Sequence, residues 1–480
     1  MNKKMVFYTL GQLLVLEAVL FILPLVVSLI YGEKNWIWFV FSAAVAVAVG
    51  GVFMLVCRKR NSVIYAKEGF AIVALSWIAL SLVGALPFFL SREIPSYVDA
   101  FFETVSGFTT TGASILNDVE ALSHGMLFWR SFNHWIGGMD VLVFIMAIIP
   151  SVSERSIHIM RAEVPGPIVG KLVPRAKDTA RVLYLMYIVL TVLEIIFLLF
   201  GGMNLFESVV HSFGTAGTGG FGVKADSIGG YSPYCQWVIT VFMIIFGLNF
   251  NLYYLLLIRR FKSVFKNAEL WVYLGIVFTS IAIIAVNISS MYSSVGESVR
   301  YSAFQVASII STTGYSTANF DLWPGFSKAI LLVLMFIGSC AGSTAGGLKI
   351  SRIILLIKMG RNELRHLVSP KRVSSVRVDG KQVDSAVLKN AGNYFILYIL
   401  CFGAIFLLLS IEPYSMETNF SATAACFNNI GPGFAAVGPM ESFAGYSIFS
   451  KLLLSFAMLL GRLELFPMLL IFSRRLWSNK

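Results

Sequence analysis

Thr110-Thr111-Gly112-Ala113 decides how the rest of this chain is read. The same pairing of threonine with glycine returns at Thr218-Gly219-Gly220-Phe221 and Thr312-Thr313-Gly314-Tyr315, and in altered form at Asn429-Ile430-Gly431-Pro432. Each segment follows a short amphipathic stretch that starts near an acidic residue. Those stretches lie near 97 to 109, 204 to 215, 299 to 310 and 416 to 428. They fall short of the roughly 20 apolar residues needed to cross a bilayer, so they read as re-entrant half-helices. Irregular backbone at membrane depth survives only where protein or a water-filled cavity covers it. Four such loops are therefore expected to gather around one axis.

Composition sets the solvent. Hydrophobic residues make up 57% of the 480 positions and charged residues 13%, with a mean hydropathy of +0.79. A water-soluble domain of this length does not carry that balance. Reading apolar runs between charge clusters gives ten spans, near 7 to 31, 36 to 57, 68 to 90, 125 to 150, 181 to 202, 232 to 258, 269 to 289, 325 to 357, 390 to 411 and 446 to 473. The first run, from Val6 to Tyr31, exceeds the apolar core of a signal peptide and is expected to remain as a helix. Cys57, Cys235, Cys340, Cys401 and Cys426 have no metal-ligand spacing and read as small buried hydrophobes.

Basic residues orient the bundle, because Lys and Arg in short loops stay on the cytoplasmic side. They collect on alternate loops: Lys3 and Lys4, Arg58 to Arg60, Arg155 to Arg181, Arg259 to Lys266, Arg352 to Lys389, and Arg474-Arg475. The other loops carry Glu93, Asp99, Asp118, Glu207, Glu297, Asp321 and Glu417 among their acids, and all four Thr/Gly segments. Both termini are thus expected in the cytoplasm, with the four segments facing outward. The expected architecture is an all-α membrane protein of four parallel helix, pore-loop, helix repeats around a pseudo-fourfold pore, preceded by two extra N-terminal transmembrane helices. The boundaries read as 1–60 for the extension and 61–180, 181–266, 267–375 and 376–480 for repeats 1 to 4.

The chemistry of such a ring is cation coordination. A dehydrated potassium ion needs several oxygens at fixed spacing, and a non-helical backbone supplies them as a ladder of carbonyls. Gly112, Gly220, Gly314 and Gly431 permit positive φ; Thr110, Thr218 and Thr312 add a hydroxyl at the inner mouth, where the fourth repeat has Asn429. With Thr111, Gly219, Thr313 and Ile430 these form the candidate filter. The competing reading for any one tripeptide is close helix packing by small residues. Four occurrences in register on one side favour the filter.

The chain resembles the Trk/Ktr/HKT superfamily of potassium transport proteins, in its TrkH type. The resemblance rests on Ser106 to Ala113, Gly217 to Phe221, Ser311 to Tyr315, Asn428 to Gly433, Trp135-Ile136-Gly137-Gly138-Met139 and Glu163-Val164-Pro165-Gly166-Pro167. It implies potassium uptake at a bacterial cytoplasmic (inner) membrane, with potassium as the transported ion and no covalently bound group. It also implies a homodimer whose cytoplasmic face binds nucleotide-binding regulatory subunits of the TrkA type. The loops Arg155 to Arg181 and Arg352 to Lys389 suit that docking, although positive-inside bias accounts equally for their charge. Membrane lipid is the other expected partner, and nucleic acid is not expected.

Span eight is interrupted by Gly338-Ser339-Cys340-Ala341-Gly342-Ser343-Thr344-Ala345-Gly346-Gly347. Glycine costs a helix about 1 kcal/mol relative to alanine at each position. The run reads either as close packing between helices or as a loop obstructing the pore; resemblance to the intramembrane gate of TrkH-type proteins favours the loop, formed around Gly338, Gly342, Ser343, Thr344, Gly346 and Gly347. Arg462 lies within the last apolar span, where a charge demands a partner or water. It reads either as a buried pair or carbonyl cap, or, by resemblance of Gly461-Arg462-Leu463-Glu464 to the family motif, as a pore residue just below the filter. Asp140 either pairs with a base or faces the inner vestibule.

A sodium- or proton-coupled secondary transporter, a symporter, is the alternative class; its usual inverted repeats are not the pattern here. An enzyme is not expected: there is no His-Glu-x-x-His or Gly-x-Ser-x-Gly, and His124, His134, His158, His211 and His366 are scattered.

Overall fold

A computed structural model describes residues 1–58, 66–139, 176–370 and 375–478. Asp140, the segment Glu163 to Pro167, most of the basic loop Arg155 to Arg181 and the second half of span four lie outside the described residues. The regular secondary structure there is almost entirely helical. The exception is a small hairpin pairing Arg377–Val378 with Lys381–Gln382, which turns at Asp379 and Gly380, both at positive φ.

Among the described residues, six helices are long and apolar enough to cross a membrane: Lys3–Ile30, Trp36–Val56, Lys67–Leu90, Arg181–Phe200, Ala268–Asn287 and Ser385–Leu409. The first two form the N-terminal extension. The other four are the outer helices of the four repeats. The exposed faces of the last three are rich in Leu, Ile, Val and Phe, as lipid contact requires, whereas Lys67–Leu90 is mostly covered. The extension is closely knit, because a Cβ on Gly11 would lie 2.6 Å from the Gly50 carbonyl and one on Gly50 would lie 2.7 Å from that of Gly11. Only glycine at both positions lets these backbones approach so far.

The inner helices behave differently. Pro233–Phe246, Gly325–Ile337 and Ile448–Arg462 all end partway along the apolar runs that read as spans, and His124–Gly138 reaches the edge of the described residues. In repeat 2 the chain bends by 90° before Phe250–Leu257. In repeat 3 it leaves the helix at Gly338 (φ +65°) and resumes at Ile350–Val368. In repeat 4 Glu464 and Leu465 both take positive φ, near +60°, before Phe466–Ile471. The sequence reading anticipated the break in span eight and took spans six and ten as continuous. An apolar run reports the solvent around a segment, and the path of the backbone through that solvent depends on the neighbours it bonds to.

Four half-helices lie between outer and inner helices: Tyr97–Phe108, Leu205–Gly217, Val295–Ile310 and Met416–Phe427. Each starts at a side-chain cap. Ser96, Asn204 and Ser294 accept from the amides of Asp99, Glu207 and Glu297, and Ser415 accepts from that of Thr418. Acids in the first turn also suit the positive end of a helix dipole. The acidic starts visible in the sequence are therefore helix N-termini, and each half-helix has its C-terminus at a Thr/Gly segment.

Candidate functional site

All four half-helices end in one motif. The amides of Thr110, Thr218, Thr312 and Asn429 bond back three residues, to Gly107, Thr215, Ile309 and Cys426. The next amides, of Thr111, Gly219, Thr313 and Ile430, bond back five residues to Ser106, Gly214, Ser308 and Ala425, at 2.8 to 2.9 Å. This is the Schellman arrangement, in which a left-handed residue closes the helix and turns the chain outward. Glycine normally takes that place. Here the left-handed residues are Thr110, Thr218, Thr312 and Asn429, with φ of 54°, 57°, 57° and 56°.

A β-branched residue at positive φ is strained, whereas Asn is one of the few side chains that tolerates it. The fourth segment, weakest as a sequence match, is therefore geometrically equivalent to the others and locally the least strained. Two residues on, Gly112, Gly220, Gly314 and Gly431 also take positive φ, from 72° to 101°. Sequence reading placed glycine's freedom correctly and had no signal for the left-handed threonines.

The four glycines interlock. A Cβ on Gly112 would run into the carbonyl oxygen of Gly219, on Gly220 into that of Thr313, and on Gly314 into that of Ile430. A Cβ on Gly431 would lie 2.7 Å from the carbonyl of Thr111. Each repeat thus abuts the next in chain order, and repeat 4 closes on repeat 1. The ring floors a cavity of ≈ 400 Å³ lined by all four glycines and by Arg130, Phe221 and Lys224.

Below the ring the four walls diverge. Asn429 donates to Thr111 Oγ1 and to the Met458 carbonyl, both at 2.9 Å. The Thr218 hydroxyl donates to the Gly217 carbonyl at 2.6 Å. Thr312 Oγ1 accepts from the Gly346 amide at 2.7 Å, so the repeat 3 loop lies directly against the ring. Arg462 Nη1 donates to Thr110 Oγ1 at 3.1 Å and to the Thr344 carbonyl at 2.7 Å, while Nη2 donates to the carbonyls of Gly137 and Gly138. Arg462 is thus capped by carbonyls, as one of its two readings expected, and reaches the ring through Thr110. Glu464 pairs with Arg352, whose guanidinium lies 3.8 Å from the Tyr394 ring centre.

The loop that carries Gly338, Gly342, Ser343, Thr344, Gly346 and Gly347 is fastened on its other flank to the bend in repeat 2. The Cys340 amide donates to Gly247 O at 3.2 Å and the Phe250 amide donates to Gly342 O at 3.0 Å. Gly338, Gly342 and Gly347 have φ near +65° to +70°, conformations that few other residues adopt without strain.

Sequence reasoning missed the support above and behind the ring. Arg130 and Glu103 form an ion pair at 2.6 Å with both side chains buried. Glu103 also accepts from Ser114 Oγ and the Ile115 amide, and Arg130 donates to Gly222 O while stacking 3.6 Å over Phe221. A guanidinium beside a cation path would repel cations, and Glu103 neutralises it. His134 bridges repeats 1 and 2: its Nδ1 faces the Gly107 carbonyl at 2.8 Å and its Nε2 accepts from the Phe221 amide at 3.3 Å. Arg130 inside an apolar run was the available signal for the first of these. His134 had none beyond its lying in one too.

Residues 38–480 match the model of the TrkH family, described as a cation transport protein. The chain belongs to the TrkH family. It is 37% identical to the Trk system potassium uptake protein TrkH of Escherichia coli K12 over 98% of each chain, and 33% identical to that of Halomonas elongata over the full length of both. The crystal structure of the potassium transporter TrkH from Vibrio parahaemolyticus superposes with a TM-score of 0.90 at 31% identity, covering both chains completely. The protein is accordingly a multi-pass membrane transport protein.

Proposed function

We propose that this chain conducts potassium ions into a bacterial cell across its cytoplasmic membrane, with the ion desolvated by carbonyls of Thr110 to Gly112, Thr218 to Gly220, Thr312 to Gly314 and Asn429 to Gly431. The observation that carries this reading is the closed ring of four left-handed loops, whose glycines touch the next repeat in cyclic order. The half-helix C-termini at the ring add partial negative charge that favours a cation. The names of the relatives supply the ion.

Control is assigned to the layer below. The loop around Gly338 to Gly347 obstructs the path and Arg462 opposes an entering cation until the two move. A homodimer with a cytoplasmic nucleotide-binding regulatory subunit, and termini on the cytoplasmic side, completes the reading. Rubidium uptake into liposomes holding the purified chain, with sodium and lithium as competitors, is the test. Uptake suppressed by sodium or lithium as strongly as by unlabelled rubidium would sink the potassium assignment.

Cation-coupled transport is the second reading. Glu194, a carboxyl group fully buried in the outer helix of repeat 2 beside the Thr215 side chain, is the observation that favours it. Rubidium uptake that required a proton or sodium gradient would establish coupling, and uptake driven by the rubidium gradient alone would exclude it.

A further inference from the structure

The loop beneath the ring touches many partners, and one of them is out of the ordinary. Its upper contacts, Thr312 and Arg462, belong to the ring and the pore wall, and its flank rests on the bend of repeat 2. On the remaining side stands Glu269, in the first turn of the repeat 3 outer helix and only 9% exposed. A single oxygen of this carboxylate, Oε1, accepts from the Ala341 amide at 2.7 Å and from the Ser351 amide at 3.1 Å. Ala341 lies near the start of the loop, and Ser351 lies in the first turn of the helix that follows it. One oxygen therefore ties together the two ends of the interruption.

The geometry of the alternative gives this tie its meaning. If residues 338 to 349 rewound into helix, Gly325–Ile337 and Ile350–Val368 would run on as one rod, and the amides of Ala341 and Ser351 would stand roughly 15 Å apart. Two bonds to one oxygen hold them within about half that distance. The chain cannot straighten or slide along the pore axis while both bonds persist. A carboxylate bonded to amides in a water-poor site also makes stronger hydrogen bonds than a neutral acceptor would. The backbone bonds to Gly247 and Phe250 fix the side of the loop, and one backbone bond, from the Ile350 amide to the Ser339 carbonyl at 3.0 Å, joins its ends directly. Glu269 adds a charged acceptor to that closure, bonded to both ends at once.

We infer that Glu269 is the positioning residue that holds the intramembrane loop closed, by stapling Ala341 to Ser351 from outside the pore. The inference rests on the gate reading above and adds to it the element that must let go. Glu269 begins the helix that follows the cytoplasmic basic stretch Arg259 to Lys266, so a displacement of that stretch reaches the staple through Asn267 and Ala268. Asn267 caps the same helix by accepting from the Leu270 amide at 2.8 Å. Glu269 itself lines neither the ring nor the outer cavity.

Two readouts separate this inference from the gate reading. Cys340 sits in the loop with its thiol fully buried, next to Ala341. In a variant whose other cysteines, Cys57, Cys235, Cys401 and Cys426, are replaced by alanine, the rate at which a membrane-impermeant maleimide on the cytoplasmic side modifies Cys340 reports release of the loop. Rubidium flux in liposomes reports opening. Glu269→Ala is expected to raise both by roughly ten-fold, and Glu269→Gln, which keeps an acceptor oxygen without the charge, by less.

Unchanged labelling in Glu269→Ala, in protein inserted at the normal level and with Arg462→Ala raising flux, overturns the staple and leaves the gate. Raised labelling with unchanged flux overturns the gate reading while the staple stands. Should the alanine variant fail to insert, the glutamine variant carries the same test. Labelling and flux both at the original level there, together with a fully active Glu269→Asp, overturn the inference.

Discussion

The ring and the layer beneath it are built from the same four repeats, yet one is nearly fourfold and the other is not. In the ring every repeat contributes the same Schellman turn, a left-handed residue at the same place and a glycine abutting its neighbour's carbonyl. One layer down, repeat 3 supplies a loop, repeat 4 supplies Arg462, repeat 2 supplies a bend that cradles the loop, and repeat 1 supplies the Gly137 and Gly138 carbonyls. A ring of backbone oxygens can be equivalent even when side chains differ, because every residue carries the same carbonyl. A plug has to come from one side. Under the proposed function, selectivity and closure thus make opposite demands on symmetry, and the two layers meet where Thr110 and Thr312 bond to Arg462 and Gly346.

The largest expected effect strikes the symmetric layer. Gly314→Ser puts a Cβ into the Ile430 carbonyl at a residue with φ of 84°. Discrimination of rubidium over sodium in liposome flux should fall at least about ten-fold, equal to ~1.4 kcal/mol; unaltered discrimination would remove this position from the filter. In the asymmetric layer, Arg462→Ala deletes donors to Thr110, Thr344, Gly137 and Gly138. Basal flux should rise by about ten-fold, as loss of its one charged hydrogen bond to the loop, at the Thr344 carbonyl, implies, with ion preference unchanged. A shift in preference together with flux would mean that the two layers are not separable.

Gly346→Ala tests the contact between layers from below, since its Cβ would come within 2.6 Å of the Asn428 carbonyl. A several-fold gain in basal flux is expected, smaller than that of Arg462→Ala because the loop keeps its other bonds; reduced flux would show that the loop instead supports the open path. The smallest effect concerns the departure from symmetry within the ring. Asn429→Ala and Asn429→Gly both lose the bonds to Thr111 and Met458, but only alanine adds the cost of a left-handed Cβ, about 1 kcal/mol. The melting temperature in detergent should fall further for alanine. Equal falls would show that the left-handed turn contributes no strain at this wall.

Much of the fold was legible because it follows from solvent and length. Runs such as Val182 to Phe200 have to be helices in lipid, and basic loops have to alternate with acidic ones. The half-helices were readable from their shortness and from Asp99, Glu207, Glu297 and Glu417. The breaks in repeats 2 and 4 were not. Gly247 and Leu465 sit in runs apolar enough to read as continuous spans, although Asn249 and Asn251 follow the one and Glu464 and Pro467 flank the other; the chain there bonds to Cys340 in one case and takes positive φ at Glu464 and Leu465 in the other. Glu103, Arg130 and Glu269 were visible as charges, but their partners lie far along the chain or in another helix.

The sequence by itself determined the membrane, the helical class, the four repeats and the glycines of the ring, because hydropathy, charge and the absence of a Cβ act locally. Only the tertiary structure decided that Asn429 and the three threonines all take the left-handed turn, that Arg462 reaches both the ring and the loop, and that Glu269 ties the ends of the loop. Those facts depend on distances between residues separated by tens to hundreds of positions. No local property of the chain encodes such distances; they follow from how the helices pack.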